Sequence, residues 1–118
     1  GNHVKSVNSQ DVREVIYSSL KEIFTYFSKN PNLTKIGFFE SNEAEEVKSE
    51  LSKQFIKILQ SDLDVTSSKD IDKSILAESL LGSIERLTLT NLLNNSNTPE
   101  TLAKQITNIY FEEQKVLV

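Results

Sequence analysis

Apolar residues recur every three or four positions in four stretches of the chain, and this spacing predicts four long amphipathic helices. The first helix is predicted over residues 9–28. Its apolar stripe consists of Val12, Ile16, Tyr17, Leu20, Ile23, Phe24 and Phe27. The second long helix has its stripe at Ala44, Val47, Leu51, Phe55, Ile58 and Leu59. No stretch shows the alternation of a strand, so the pattern predicts an all-α fold, a bundle of four long helices and one short helix.

Proline and capping residues mark the predicted helix ends. Asn30 precedes Pro31 and is driven out of the helical region, which ends the first helix. Pro31 then opens a short helix over residues 31–39. Ser41 or Asn42 is expected to cap the next helix, because Asn42 and Glu45 have capping-box spacing. The polar stretch 61–69 is predicted to be a loop, and Thr98-Pro99-Glu100 opens a last helix over residues 98–115.

The remaining long helix, predicted over residues 70–94, has apolar residues on two faces. The broad face consists of Leu76, Ala77, Leu80, Leu81, Ile84, Leu87 and Leu92, while Ile71, Ile75, Gly82 and Leu89 lie on a second flank. A helix on one side of a small domain needs one stripe. Gly inside a helix costs about 1 kcal/mol relative to Ala, which suggests close approach of another backbone. That backbone belongs either to a second copy or to another helix of this chain, and periodicity leaves both readings open.

Composition narrows the class of protein. A chain of 118 residues is enough for one domain. The net charge of -4 disfavours binding to nucleic acid, and the absence of Cys excludes a disulfide framework. No apolar run approaches the roughly 20 residues of a membrane span, and no signal-like segment opens the chain. We therefore expect a cytoplasmic protein without a membrane partner.

No set of residues predicts an enzyme. His3 is the single His, and Gly1-Asn2-His3 is typical of the remnant of a cleaved expression tag. No Ser-His-Asp set can therefore be assembled. The acidic residues Asp62, Asp64, Asp70 and Asp72 lack the spacing and the closing Glu of an EF-hand loop, so they indicate a solvated linker. The expectation is a protein with no catalytic residues, no metal and no cofactor.

Three segments resemble the C-terminal regulatory domain of TetR-family transcriptional repressors. Residues 24–36, FTYFSKNPNLTKI, resemble the family's helix that ends in Asn-Pro before a short apolar helix. Residues 80–89, LLGSIERLTL, resemble its penultimate helix. Residues 95–102, with Thr-Pro-Glu before an apolar helix, are similar to the turn into its last helix. The resemblance covers about residues 11–110, and the order and spacing of the segments carry it more than any one motif.

The resemblance implies the regulatory part of a two-part bacterial repressor. Residues 9–118 would be the regulatory domain, and residues 1–8 a tag remnant and residual linker. Operator DNA would be bound only through an N-terminal helix-turn-helix domain that this chain does not contain. The last two helices of each protomer would form a four-helix bundle across a two-fold axis, giving a homodimer. The expected interface residues are Ile75, Gly82, Glu85, Leu89, Leu93, Ile106, Ile109 and Tyr110.

The resemblance also implies a small, partly apolar effector of unknown identity, bound among the first helices. Candidate ligand-binding residues are Tyr17, Phe24, Phe27, Phe38, Phe39, Gln54 and Phe55. Gln54 lies on an apolar stripe and could orient a ligand, or it could be a partly exposed surface residue. The aromatic residues could line a cavity or simply fill the core. The alternative function is a helical adaptor that dimerises without a ligand, and ligand-dependent heat stability would distinguish the two.

Overall fold

The computed structural model describes residues 9–61 and 71–111, and these segments form an all-α domain. Within these two segments, the α-helices are α1 (Ser9–Lys29), α2 (Pro31–Thr34), α3 (Ala44–Gln60), α4 (Lys73–Leu87) and α5 (Pro99–Phe111). Helix α2 continues into a π-helical segment, Lys35–Glu40, and α4 continues into a second one, Thr88–Leu92. The described segments contain no strand, so the predicted fold class is confirmed.

The turn at Asn30-Pro31 forms as predicted. Helix α1 ends at Lys29, and Pro31 is the first residue of α2. The hydroxyl of the buried Thr34 lies 2.8 Å from the carbonyl oxygen of Asn30 and 3.3 Å from that of Phe27, and the contact with Phe27 joins α2 to the end of α1. The predicted short helix over 31–39 is therefore one α-helical turn followed by the wider π-helical segment.

The predicted capping box of α3 does not form. Helix α3 begins at Ala44, and its N-cap residue, Glu43, makes no side-chain cap. Instead, the hydroxyl oxygen of Ser41 accepts a hydrogen bond from the backbone N–H of Glu43 at 3.0 Å. Asn42 is exposed in the turn between them. A local turn at Ser41 has thus replaced the cap that the spacing of Asn42 and Glu45 predicted.

Helix α4 starts later than predicted. The carboxylate of Asp72 accepts from the backbone N–H groups of Ser74 and Ile75 at 2.8 and 3.3 Å, so Asp72 is the N-cap and Lys73 begins the helix. This assigns Asp72 a structural role. Asp62, Asp64 and Asp70 lie outside the described residues, as does the predicted loop 61–69 apart from Ser61.

The start of α5 agrees with the prediction. The hydroxyl of Thr98 accepts from the backbone N–H of Thr101 at 3.1 Å, and Pro99 is the first helical residue. The predicted continuation from 112 to 115 lies outside the described residues. The preceding turn contains Asn95, whose φ of 60° is the left-handed conformation that Asn tolerates better than most residues.

The helices pack as two antiparallel pairs. Arg13 near the start of α1 bonds to Asn108 and Phe111 near the end of α5. Eight residues further along α1, Lys21 lies 3.8 Å from Glu100 at the start of α5. Helices α3 and α4 form the second antiparallel pair. Helix α1 also contacts α3 and the second π-helical segment, and therefore joins the two pairs.

The stripe of α1 is the centre of the core. Its fully buried residues pack with Phe55 and Leu59 of α3, most of the broad face of α4, and the inner face of α5. One detail of the prediction was wrong: Val47 of α3 is 46% exposed, while Ser52 is buried. The buried face of α3 is therefore rotated from the predicted stripe. In α5, Thr107 is buried, while Ile109, an expected interface residue, is 71% exposed.

The second flank of α4 faces outward from the described protomer. Ile75 is 64% exposed and Leu89 is 45% exposed. A Cβ atom built on Gly82 would meet no described atom within 4 Å. Gly82 therefore makes no close contact with another helix among the described residues, and it borders an opening on the side of α3. Whether a second copy or another part of this chain approaches Gly82 stays a prediction.

No helix in the described ranges is both long and apolar enough to cross a membrane.

Candidate functional site

An open groove of about 500 Å³ lies between α1 and α3, beside the first π-helical segment. Glu22, Ile23, Tyr26 and Phe27 come from consecutive turns of α1, and Val47, Glu50, Leu51 and Gln54 form one row along α3. Phe38 of the π-helical segment completes the lining. The groove has the size of a small-molecule site and is lined by apolar side chains with a few polar ones, the usual composition of such sites.

Aromatic rings form one end of this groove. The ring centres of Phe27 and Phe38 lie 4.9 Å apart, and those of Tyr26 and Phe27 lie 6.4 Å apart in an edge-to-face arrangement. Phe27 and Phe38 are almost fully buried, whereas Tyr26 is exposed. The buried rings fix the wall while the exposed ring of Tyr26 remains available to a bound molecule.

The charged groups that line the groove are both acidic. Glu22 comes from α1 and Glu50 from α3, and none of the described residues that line the groove is Lys, Arg or His. Lys53 lies 3.6 Å from Glu50, but both side chains are mostly exposed, so water and salt weaken this pair. The amide of Gln54 adds an uncharged polar group.

The ammonium group of Lys48 lies behind the aromatic end of the groove. It is 5.2 Å from the ring centre of Phe38 and 5.3 Å from that of Phe39, within the range of a cation–π contact. The same ammonium pairs with Glu85 of α4. Lys48 lines a second, smaller groove of about 270 Å³ between α3 and α4, which also includes Gly82 and Glu85.

The structure brings three of the seven candidate ligand residues together in the α1–α3 groove: Phe27, Phe38 and Gln54. Phe24 and Phe55 are fully buried in the core and do not line it. Tyr17 and Phe39 are partly buried against the core and do not line it either. Gln54 is exposed on the edge of the α3 stripe. Its place in the groove is compatible both with an amide that orients a ligand and with an ordinary surface residue.

Sequence reasoning missed the other six lining residues, which are Glu22, Ile23, Tyr26, Val47, Glu50 and Leu51. A signal was present in the sequence. Val47, Glu50, Leu51 and Gln54 are spaced three, one and three residues apart, so they lie on one helix face. Only the packing of α1 against α3 reveals that this face borders a groove.

Three of the expected interface residues are used inside the protomer. Ile106 is almost fully buried in the core, so we exclude it from the surface available to a second copy. Glu85 pairs with Lys48. The hydroxyl groups of Tyr110 and Ser83 lie 3.1 Å apart and connect α5 to α4.

The other expected interface residues face outward to different degrees. Ile75, Leu89 and Ile109 are among the exposed large apolar residues of the described segments. Gly82 is exposed between Ile75 and Leu89, seven residues from each, and Leu93 is partly buried. The seven-residue spacing aligns Ile75, Gly82 and Leu89 on one line along α4 and its π-helical continuation.

The described residues contain no group of three or more His, Cys, Asp or Glu side chains that could hold a metal ion.

The described residues thus form an all-α domain with an open, partly aromatic groove and an apolar flank that they leave exposed. The chain is similar to an uncharacterised HTH-type transcriptional regulator, YdgC, of Bacillus subtilis (strain 168), with 30% identity over 108 residues. The aligned region is 87% of this chain and 53% of that relative, so the chain spans about half the length of the curated relative it matches. No family model matches the chain, and no solved structure matches it. The similarity relates the chain to a transcriptional regulator.

Proposed function

We propose that this chain is the effector-binding and homodimerisation domain of a TetR-like transcriptional repressor. The similarity to an HTH-type regulator supports the regulatory role. The observation that supports the dimer is the apolar flank of α4 and its π-helical continuation, which the described protomer leaves exposed at Ile75, Gly82 and Leu89. In the intact regulator, operator DNA would be bound by a helix-turn-helix domain joined to residues 9–118.

Helices α4 and α5 would contribute exposed residues to a two-fold interface. Ile75 and Leu89 would contribute apolar contact area, and Gly82 would let the backbones of two α4 helices approach closely. Ile109 adds an exposed apolar residue on α5. A two-fold axis uses each of these residues twice, so a short flank on one protomer becomes a continuous surface in the dimer. The helices of the two protomers would form a four-helix bundle.

The α1–α3 groove is the proposed effector site. A chain of contacts leads from it toward the proposed interface. Phe38 lines the groove, Lys48 lies over the Phe38 ring, and Glu85 pairs with Lys48 on the same helix as Gly82. A ligand that displaces Phe38 would change the surroundings of this ion pair. An effector that binds one arrangement of α3 and α4 more tightly than the other would then shift the population between them.

The proposed mechanism connects this shift to operator release. Effector binding would favour an arrangement of the dimer in which the two DNA-binding domains no longer match the spacing of the operator. By thermodynamic linkage, operator binding must then weaken effector binding by the same factor. A ligand that binds both arrangements with equal affinity cannot act as the effector, however tightly it binds.

The test uses the intact regulator and its operator. Fluorescence anisotropy of labelled operator DNA would be measured across a panel of small amphipathic compounds, with a compound that binds this domain expected to weaken operator binding at least fivefold. If the Phe38–Lys48–Glu85 contacts transmit the effect of the ligand, Lys48→Met in the intact protein should reduce the factor by which the ligand weakens operator binding. Operator affinity that stays constant at saturating concentrations of every domain-binding compound would contradict the proposal. That result would favour a dimerising adaptor without an effector.

A further inference from the structure

Resting on this proposed function, we infer that the α1–α3 groove binds an organic cation with an aromatic or bulky apolar body. The described lining of the groove combines three features that such a molecule needs: an apolar wall, aromatic rings and two carboxylates, with no Lys, Arg or His among its residues. Nothing in the resemblance to a repressor family specifies the charge of the effector. The charge follows from the residues of this groove.

The apolar body of the ligand is matched by side chains from three elements. Ile23 and Phe27 of α1, Phe38, and Val47 and Leu51 of α3 line one continuous opening. The apolar side chain of Val47 and the aromatic ring of Tyr26 are both exposed to solvent. A bound molecule would remove both from water, and burial of apolar area is the main favourable contribution to such binding.

The positive charge is matched by Glu22 and Glu50, one from each wall of the groove. A cation in the groove lies near both carboxylates and near the aromatic rings, whose faces attract positive charge. An anion would face two like charges and no cation among the described lining residues. The whole chain carries a net charge of -4, which adds to the same preference at long range.

Lys48 does not cancel this preference. Its ammonium group approaches Phe38 but does not line the groove, and its charge is matched by Glu85 at 2.5 Å and Glu45 at 3.7 Å. Its side chain is only 13% exposed. The positive charge behind the ring is thus paired within the protomer. Glu22 and Glu50 line the opening, and the contact of Glu50 with Lys53 is exposed and therefore weak.

The experiment compares two probes of matched shape and opposite charge. Tetraphenylphosphonium and tetraphenylborate each carry four phenyl groups on one central atom, and triphenylphosphine oxide is a neutral reference. Isothermal titration calorimetry on the whole 118-residue chain at low salt should show tetraphenylphosphonium binding at least tenfold more tightly than either comparison compound. Raising the salt concentration should reduce this ratio, because salt screens the carboxylates.

Charge variants locate the binding. Glu22→Gln and Glu50→Gln should each weaken phosphonium binding by about 2- to 5-fold, as expected for loss of one exposed charge pair. Gln54→Glu should strengthen it by a similar factor. Glu46→Gln is the matched control, since Glu46 is exposed on α3 but does not line the groove. All four side chains are on helix surfaces, and circular dichroism would verify that each variant is folded.

Several results would overturn the inference. Borate or phosphine oxide binding as tightly as phosphonium would show that charge does not select the ligand. Phosphonium binding that is absent, or unchanged by both Glu22→Gln and Glu50→Gln, would contradict the assigned site. A phosphonium affinity that falls with protein concentration would show that a second copy covers the groove.

The two proposals can fail separately. If a neutral or anionic compound releases the intact regulator from its operator, the proposed function holds and the cation inference fails. If phosphonium binds the groove with the expected charge dependence but leaves operator affinity unchanged, the inference about the groove holds and the proposed regulatory mechanism fails.

Discussion

The ammonium nitrogen of Lys48 lies 2.5 Å from a carboxylate oxygen of Glu85, and this ion pair connects α3 to α4. The stem of Lys48 is largely buried and its charge also faces the rings of Phe38 and Phe39. A pair so placed is shielded from water on the Lys48 side. It therefore affects stability more than the exposed pairs elsewhere on the described surface.

Lys48→Met should lower the free energy of unfolding by about 1–2 kcal/mol, because Glu85 loses its partner and Phe38 loses the ammonium group. Methionine retains much of the aliphatic side chain of Lys48, so the substitution tests the charge more than the packing. Urea denaturation would measure the free energy of unfolding. Lys53→Met is the control, since its pair with Glu50 is exposed and should be worth less than about 0.5 kcal/mol. Equal effects of the two substitutions would contradict this prediction.

Arg13→Met should loosen the end of α5. The guanidinium of Arg13 donates to the backbone oxygen of Phe111 at 2.9 Å and to the side-chain oxygen of Asn108. Losing both charge-assisted bonds should cost about 1–3 kcal/mol and increase amide hydrogen exchange in the last turn of α5. Lys21→Met, which removes the exposed contact with Glu100, should leave exchange in that turn unchanged.

Thr88→Val and Thr107→Val should change stability in opposite directions. Both hydroxyl-bearing side chains are buried, but the hydroxyl of Thr88 has no hydrogen-bond partner among the described residues. The hydroxyl of Thr107 donates to the backbone oxygen of Ala103 at 2.7 Å. Thermal unfolding should show Thr88→Val stabilising by up to about 1 kcal/mol and Thr107→Val destabilising by about 0.5–1 kcal/mol. Destabilisation by Thr88→Val would indicate that its hydroxyl has a partner.

Phe24→Leu and Tyr26→Ala should separate the core from the groove. Phe24 is fully buried, so the smaller side chain should lower stability by about 1–2 kcal/mol while leaving tetraphenylphosphonium affinity almost unchanged. Tyr26 is exposed in the groove, so its truncation should weaken phosphonium binding severalfold with little effect on stability. Calorimetric titration and urea denaturation of the same samples would measure both quantities. The reverse pattern would show that the two aromatic residues have been assigned to the wrong roles.

Much of the fold could be predicted from the sequence because helix signals are local. The Asn30-Pro31 turn and the Thr98-Pro99 start follow from backbone chemistry within a few residues. The buried stripe of α1 follows from its period alone. Asn42 shows the limit of this approach, because Ser41 satisfies the neighbouring N–H group and a local competition between two side chains cannot be read from spacing.

The candidate site could be predicted only in part, because it depends on how helices face each other. Phe24 and Phe27 lie on the same apolar stripe, yet one fills the core and the other lines the groove. Their difference depends on the position of α3, which periodicity does not specify. Ile109 and Ile106 are a similar pair on α5, where one residue is exposed and the other is buried. Helix pattern predicts that a face is apolar but not which partner covers it.

Sedimentation equilibrium of the chain at tens of micromolar tests the central claim, self-association through the flank of α4. The proposal predicts a dimer, and Gly82→Glu should convert it to a folded monomer. A Cβ atom at residue 82 would meet no described atom within 4 Å, so the substitution has room to begin a side chain, and circular dichroism would verify that the variant is folded. Ser18→Glu places the same charge on the exposed surface of α1 and should leave the dimer intact. A monomeric wild-type chain, or a dimer unaffected by Gly82→Glu, would contradict the proposal.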